Sequence, residues 1–267
     1  MHTQPLITDT VDSLSQQLAA ILENLEQMQQ REKPYLLALY QANLGELEYK
    51  LLTMQVECRA LQQRIQLAMI YLNRGECLTE QKLQAIDQQV KQDLLRWHTQ
   101  LNEQAQMLSA GFAYLQDLIV VDTNIVQRVK QAYRRLSRLL HPDVSPEHQT
   151  LFEHYWSSVQ NAYRSFDADL LEALLHTVET AAAQQQNSRE NIAEIIARLK
   201  VMVVRQSERL VQLRNEAPFC WAEKLHNVEW LNTQQTALEI AIVKENERWA
   251  ILISRHAELV TRIQPEI

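Results

Sequence analysis

His141, Pro142 and Asp143 are consecutive, which puts a titratable imidazole and a carboxylate on either side of a rigid residue. Pro142 removes a backbone donor and pushes His141 out of the α region, so a helix arriving here must end. Val144-Ser145-Pro146-Glu147 carries a second proline and reads as a turn. The imidazole and the acid are therefore expected exposed at a loop tip, where they can make directed, charge-assisted hydrogen bonds. Bond chemistry is not expected there. No Ser or Cys nucleophile stands beside the pair, and His148 and His154 give no convincing metal-ligand spacing with it. No catalytic residue, metal ion or cofactor is expected, and the chain does not read as an enzyme.

The element that must position this loop is the segment from Ile125 to Leu140. Val126, Val129, Tyr133, Leu136 and Leu140 form an apolar stripe at helical spacing. Lys130, Arg134 and Arg138 recur every four residues on another face, joined by Arg128 and Arg135, and no acid occurs between Thr123 and Leu140. Close like charges on a helix repel by a few tenths of a kcal/mol per pair, about as much as a good ion pair gains. An acidic partner surface gives such a cationic face a use, because opposite charge raises the encounter rate. Nucleic acid is disfavoured: the whole chain carries a net charge of −7.

The chain has 267 residues but only 3 Gly and 6 Pro, which predicts few turns and long helices. Hydrophobic residues make up 46% and charged residues 22%, so composition does not make it disordered. Cys58, Cys77 and Cys220 are scattered and odd in number, which suits reduced thiols rather than a zinc module. No apolar run approaches the roughly 18 residues of a membrane span. The first residues, with Gln4, Pro5 and Asp9, do not resemble a signal peptide. A cytoplasmic protein that binds neither membrane nor nucleic acid is expected.

The fold class expected is all-α, with a small central helical module between long, coiled-coil-like helical hairpins. Residues 1–111 read as an N-terminal arm. Its first seam is Leu14, Leu18, Ile21, Leu22, Leu25 and Met28; Pro34 interrupts it or opens the next helix. A second seam runs from Leu36 to Leu72. Asn73-Arg74-Gly75-Glu76 is a turn, and Thr79 starts a helix seamed from Leu83 through Leu94 to Leu108. Two long helices across so short a turn should pack antiparallel. Residues 112–177 are the central module, dense in aromatics. Residues 178–267 form a C-terminal arm, with one helix seamed from Ile192 to Leu213, a break at Pro218, and another helix reaching almost to Gln264.

Ala132-Tyr133-Arg134-Arg135-Leu136 followed by His141-Pro142-Asp143 resembles the second helix and loop of a J domain, the module of DnaJ-type co-chaperones. Trp156, Val159, Ala162, Tyr163 and Phe166 stand where that family's third helix has Phe, Ile, Ala, Tyr and Leu. Tyr114, Leu115, Leu118 and Val120 fall where its first helix has Tyr-Tyr and Leu-Gly-Val. The glycine of that motif is Ile119 here, which implies an altered turn or a first helix continuous with the hairpin before it. The resemblance covers about a quarter of the chain. It lacks the Gly/Phe-rich linker, cysteine-rich zinc repeat and β-rich substrate domain of the larger DnaJ-type proteins.

The resemblance implies binding to a heat-shock ATPase chaperone of the seventy-kilodalton, DnaK-type class and stimulation of its ATP hydrolysis. It assigns His141, Pro142 and Asp143 as the contact loop and Lys130, Arg134, Arg135 and Arg138 as helix contacts. The arms would then dock an unknown client protein or pair as a homodimer. A helical scaffold whose J-like module no longer stimulates an ATPase is the alternative.

Overall fold

Helical hydrogen bonding continues from Gln4 to Asn73, straight through Pro34. In a regular α-helix a proline ring collides with the carbonyl four residues back. Here a π turn, Met28–Glu32, stands just ahead of it, and the Lys33 N–H bonds the Met28 carbonyl, five residues back. That wider turn re-spaces the carbonyls before the ring, and the helix goes on. The segments are α1 (Gln4–Gln27), α2 (Lys33–Tyr40), a second π turn (Gln41–Gly45) and α3 (Glu46–Asn73). Pro34 thus neither breaks the helix nor caps a separate one. This structure is a computed structural model that describes residues 4–117, 121–185 and 192–261.

The turn after α3 forms where Asn73-Arg74-Gly75-Glu76 predicts it. Gly75 adopts φ +75°, the left-handed region that suits a residue without Cβ, and the Glu76 N–H reaches back to the Tyr71 carbonyl at 3.1 Å. Thr79 then caps α4 (Glu80–Asp93), its hydroxyl accepting from the Lys82 N–H. The single helix expected beyond it is interrupted. Leu94, buried and in a bridge-like conformation (φ −94°, ψ 4°), separates α4 from α5 (Leu95–Gln116). Its carbonyl accepts from both Trp97 and His98 N–H groups, so the chain re-starts with a shifted face while Leu94 stays in the core with Ile86 and Val90.

The remaining elements are α6 (Thr123–Leu140), a 3₁₀ turn (Pro146–His148), α7 (Gln149–Arg164), α8 (Ala168–Gln185), α9 (Ile192–Asn215), a 3₁₀ turn (Phe219–Trp221), α10 (Ala222–Leu225) and α11 (Val228–Val260). Among the described residues there is no strand, so the all-α class read from the sequence is observed.

The helices divide into two compact units, each built from separated stretches of chain. One takes the described parts of Met1–Leu36 and Leu118–Trp221; the other takes Leu37–Asp117 and those of Ala222–Ile267. This partition differs from three consecutive zones at 1–111, 112–177 and 178–267. In the second unit α3 packs on α4 and α5, as a hairpin should, but its most extensive partner is α11. The two run in the same direction: Asn43, just before α3, meets Gln235, Cys58 meets Glu245, and Gln62 meets Arg248. Cys58 is buried there, its thiol pushed up to about 11 by burial and then by the nearby Glu245. Gly111 lets α5 approach the chain closely, since a Cβ there would lie 3.4 Å from the Ala38 Cα. In the first unit α1 pairs with α9 and also packs on α6, while α8 packs on α6 and α7.

Candidate partner-binding site

Asp122 caps α6, accepting from the Asn124 N–H at 2.7 Å. Val129, Ala132, Tyr133, Leu136 and Leu140 bury one face of α6 against Val159, Ala162 and Tyr163 of α7 and Leu171 and Leu175 of α8. Tyr133 sits 4.3 Å from the Tyr163 ring and 5.7 Å from Trp156. Tyr133 meets Tyr163 late in α7 while His141, just past the end of α6, meets Phe152 early in α7, so the two helices are antiparallel with residues 141–148 at their turn. Helix α6 ends as the sequence dictates: His141 is extended (φ −64°, ψ 128°) and its N–H bonds the Ser137 carbonyl.

The turn is tightly held. The Val144 and Ser145 N–H groups both donate to the His141 carbonyl at 2.8 Å, and the Ser145 hydroxyl donates to the Arg138 carbonyl at 2.7 Å. The Asp143 N–H donates to His141 Nδ1 at 3.2 Å, so that nitrogen is an acceptor and the ring proton belongs on Nε2. The ring stands edge-on to Trp156 at 5.5 Å and to Phe152 at 5.9 Å. Burial pulls the His141 pKa below its ordinary value, and the Asp143 charge opposes this only in part. The imidazole is therefore neutral near pH 7, and its 4.0 Å approach to the Asp143 carboxylate is not an ion pair there.

This gives a pH dependence. The unfolded chain protonates His141 below about pH 6.5 while the folded chain resists, so stability falls as pH drops through that value. The stability gap between wild type and His141→Gln, read from denaturant midpoints, should shrink as pH falls from about 7.5 to about 5.5. A gap that stays constant would refute the linkage.

The loop is not the exposed tip that its composition suggests. The His141 and Asp143 side chains retain only 19% and 27% of their accessibility. Val144 is buried with Leu18 and Leu22 of α1 and Leu199 of α9. Gln206 of α9 donates from Nε2 to Asp143 Oδ2 at 2.8 Å, while its own Oε1 is buried without a partner. An unpaired buried oxygen costs about 1–3 kcal/mol, which offsets what the bond to Asp143 contributes. His148 is structural: its ring is buried and Nδ1–H donates to the Leu139 carbonyl at 2.7 Å. His154 packs edge-on against Tyr155.

The cationic face is occupied too, by acids from distant sequence. Glu23 of α1 is 0% exposed and accepts from Arg134 at 3.0 Å and from the Tyr163 hydroxyl at 2.9 Å, with Lys130 at 3.9 Å. Arg135 meets Glu179 of α8 at 2.5 Å, and Arg128 meets Asp169 and Glu172 at 2.6 and 2.7 Å. Among the described residues no acid lies within ion-pair distance of Arg138. It borders an open groove of about 590 Å³ between α1 and α6, with Arg134, Arg135, Gln16 and Ala20. The seven residues singled out in the sequence therefore do gather along one helix and its loop, but several already have partners within the chain.

Residues that sequence reasoning missed complete the site. Gln206 falls in a gap of the α9 seam between Val203 and Leu210, where an apolar residue is due. Glu23 and Glu26 lie beside the α1 seam, on the flank turned to α6 and α7. Burial pushes the Glu26 carboxyl up, against hydrogen bonds from Gln160 and Gln30. Arg31, in the first π turn, lies over the Tyr163 and Phe166 rings and donates to the Tyr163 carbonyl at the C-terminus of α7.

Tyr114 and Leu115 belong to the end of α5, in the other unit, so the segment expected as a first J-domain helix continues the hairpin before it. Leu118, Ile119 and Val120 lie outside the described residues. Among the described residues no cluster of three or more His, Cys, Asp or Glu side chains is placed to hold a metal ion, and no helix is long and apolar enough to cross a membrane. No family model, curated protein or solved structure matches this chain.

Proposed function

We propose that this protein is a J-domain-type co-chaperone that binds a DnaK-type heat-shock ATPase and stimulates its ATP hydrolysis. One observation carries the reading: an antiparallel α6–α7 pair whose turn holds His141-Pro142-Asp143 in a fixed, internally bonded conformation beside the cations of α6. The chain performs no bond chemistry itself. It acts by favouring one state of the partner, with Asp143 and the arginines supplying charged, directional contacts. The remaining helices hold a client or a second partner.

Steady-state ATP hydrolysis by a DnaK-type chaperone tests this. Added wild-type protein should raise the rate, and His141→Gln should abolish the increase while the circular dichroism stays helical. No increase from the wild type at any concentration would defeat the proposal. The scaffold reading is favoured by one specific observation: Glu23 and Gln206 already engage Arg134 and Asp143. A scaffold would leave the ATPase rate untouched and keep its own assembly in His141→Gln.

A further inference from the structure

Helix α9 is poised over the very loop that the proposed function needs. Its Leu199 packs with Val144, and its Gln206 holds Asp143. The second contact has a cost attached. Asp143 offers only acceptors when ionised, so the Gln206 amide must point its NH₂ at the carboxylate, which leaves Oε1 buried and unpaired. A group recruited only to fill the α9 seam would be apolar, like Leu199 and Val203 on the same helix. A polar side chain that satisfies the loop acid while leaving itself half-satisfied suits a contact that is made and broken.

We infer that α9 withholds the His-Pro-Asp loop from its partner: the Gln206–Asp143 hydrogen bond marks a covered state, and an ATPase chaperone must displace Gln206 to reach Asp143. This rests on the co-chaperone reading. In the covered state the protein binds its partner with an affinity reduced by the fraction of molecules that are open. The Asp143 contact is the control point because it ties α9 directly to the loop carboxylate. Val144 and Leu199 supply the apolar part, which re-forms on closing.

Gln206→Glu sets a second carboxylate against Asp143 and repels the cover, and Gln206→Ala simply deletes the bond. Both are compared with wild type in the full chain, by ATPase stimulation over a concentration series and by hydrogen exchange of the Asp143 and Val144 amides. The expected result is faster loop exchange and a half-maximal concentration lowered by about threefold or more in Gln206→Glu, with a smaller shift in Gln206→Ala. Adding His141→Gln to either should remove the stimulation. If wild type stimulates and Gln206→Glu loosens the loop without lowering that concentration, the cover is wrong and the co-chaperone reading stands. If wild type stimulates at no concentration, the co-chaperone reading fails and the cover fails with it. If circular dichroism shows Gln206→Glu unfolded, Gln206→Ala decides on the same criteria.

Discussion

Replacing Tyr133 with Ala should cost about 3–5 kcal/mol and open the first unit while leaving α3 and α11 protected. Tyr133 is 1% exposed and fills the middle of the α6–α7–α8 core, in ring contact with Tyr163 and Trp156. Its removal leaves a hole bordered by two stiff aromatic rings, which collapse poorly into vacated space. Burial holds its phenol well above the ordinary range, so the group is neutral and carries no charge whose loss must be counted. Tyr133→Phe retains the ring that fills this core and should cost far less than Tyr133→Ala. Segment-resolved hydrogen exchange is the proper readout, because two units need not unfold as one two-state system. Equal loss of protection in α3 and α11 would contradict the division into two units. A cost near that of Tyr133→Phe would contradict the packing.

How much of this could be read from the sequence depends on whether the determinant was local. The turn at Gly75, the cap at Thr79 and the end of α6 at Pro142 each follow from one or two residues acting on their neighbours, and each forms where expected. The all-α class follows from the scarcity of Gly and Pro. Passage through Pro34 was not legible, because a π turn is a response of the backbone rather than a composition. Nor was the pairing of α1 with α9 or of α3 with α11: a seam at helical spacing says which face is buried, not against what. The same limit governed the site. Five cations without an intervening acid read as a face that needs an external partner, yet Glu23, Asp169, Glu172 and Glu179 arrive from other helices to meet four of them.

That internal pairing changes what the cations mean. Arg128 and Arg135 make pairs open to water and screened by salt, so these yield readily to a competing acid. Arg134 and Lys130 are different, because their acid is wholly buried. A partner surface that draws Arg134 away leaves Glu23 with the Tyr163 hydroxyl and a distant Lys130. The basic helix is thus both part of the scaffold and the expected contact surface, and the two roles compete at Arg134.

Glu23→Ala measures the structural half of that competition and should cost about 2–4 kcal/mol. Breaking a buried pair usually costs about 3–5 kcal/mol when it strands a charge in the interior. Here the stranded charges are on Arg134, whose side chain is 46% exposed, and on Lys130, which is 33% exposed. Both can turn to water, which lowers the figure. What cannot escape is the Tyr163 hydroxyl, which loses its acceptor inside the core, at about 1–3 kcal/mol. A rescue is therefore expected. Glu23→Leu combined with Tyr163→Phe removes acceptor and donor together and fills the volume, so it should recover most of the loss from Glu23→Ala. Arg134→Ala, by contrast, leaves the buried carboxylate short of its best donor and should not be rescued by Tyr163→Phe. Denaturant midpoints for these variants form a closed set. Failure of Tyr163→Phe to rescue Glu23→Leu would place the cost in the lost ion pairs instead, with the hydroxyl secondary.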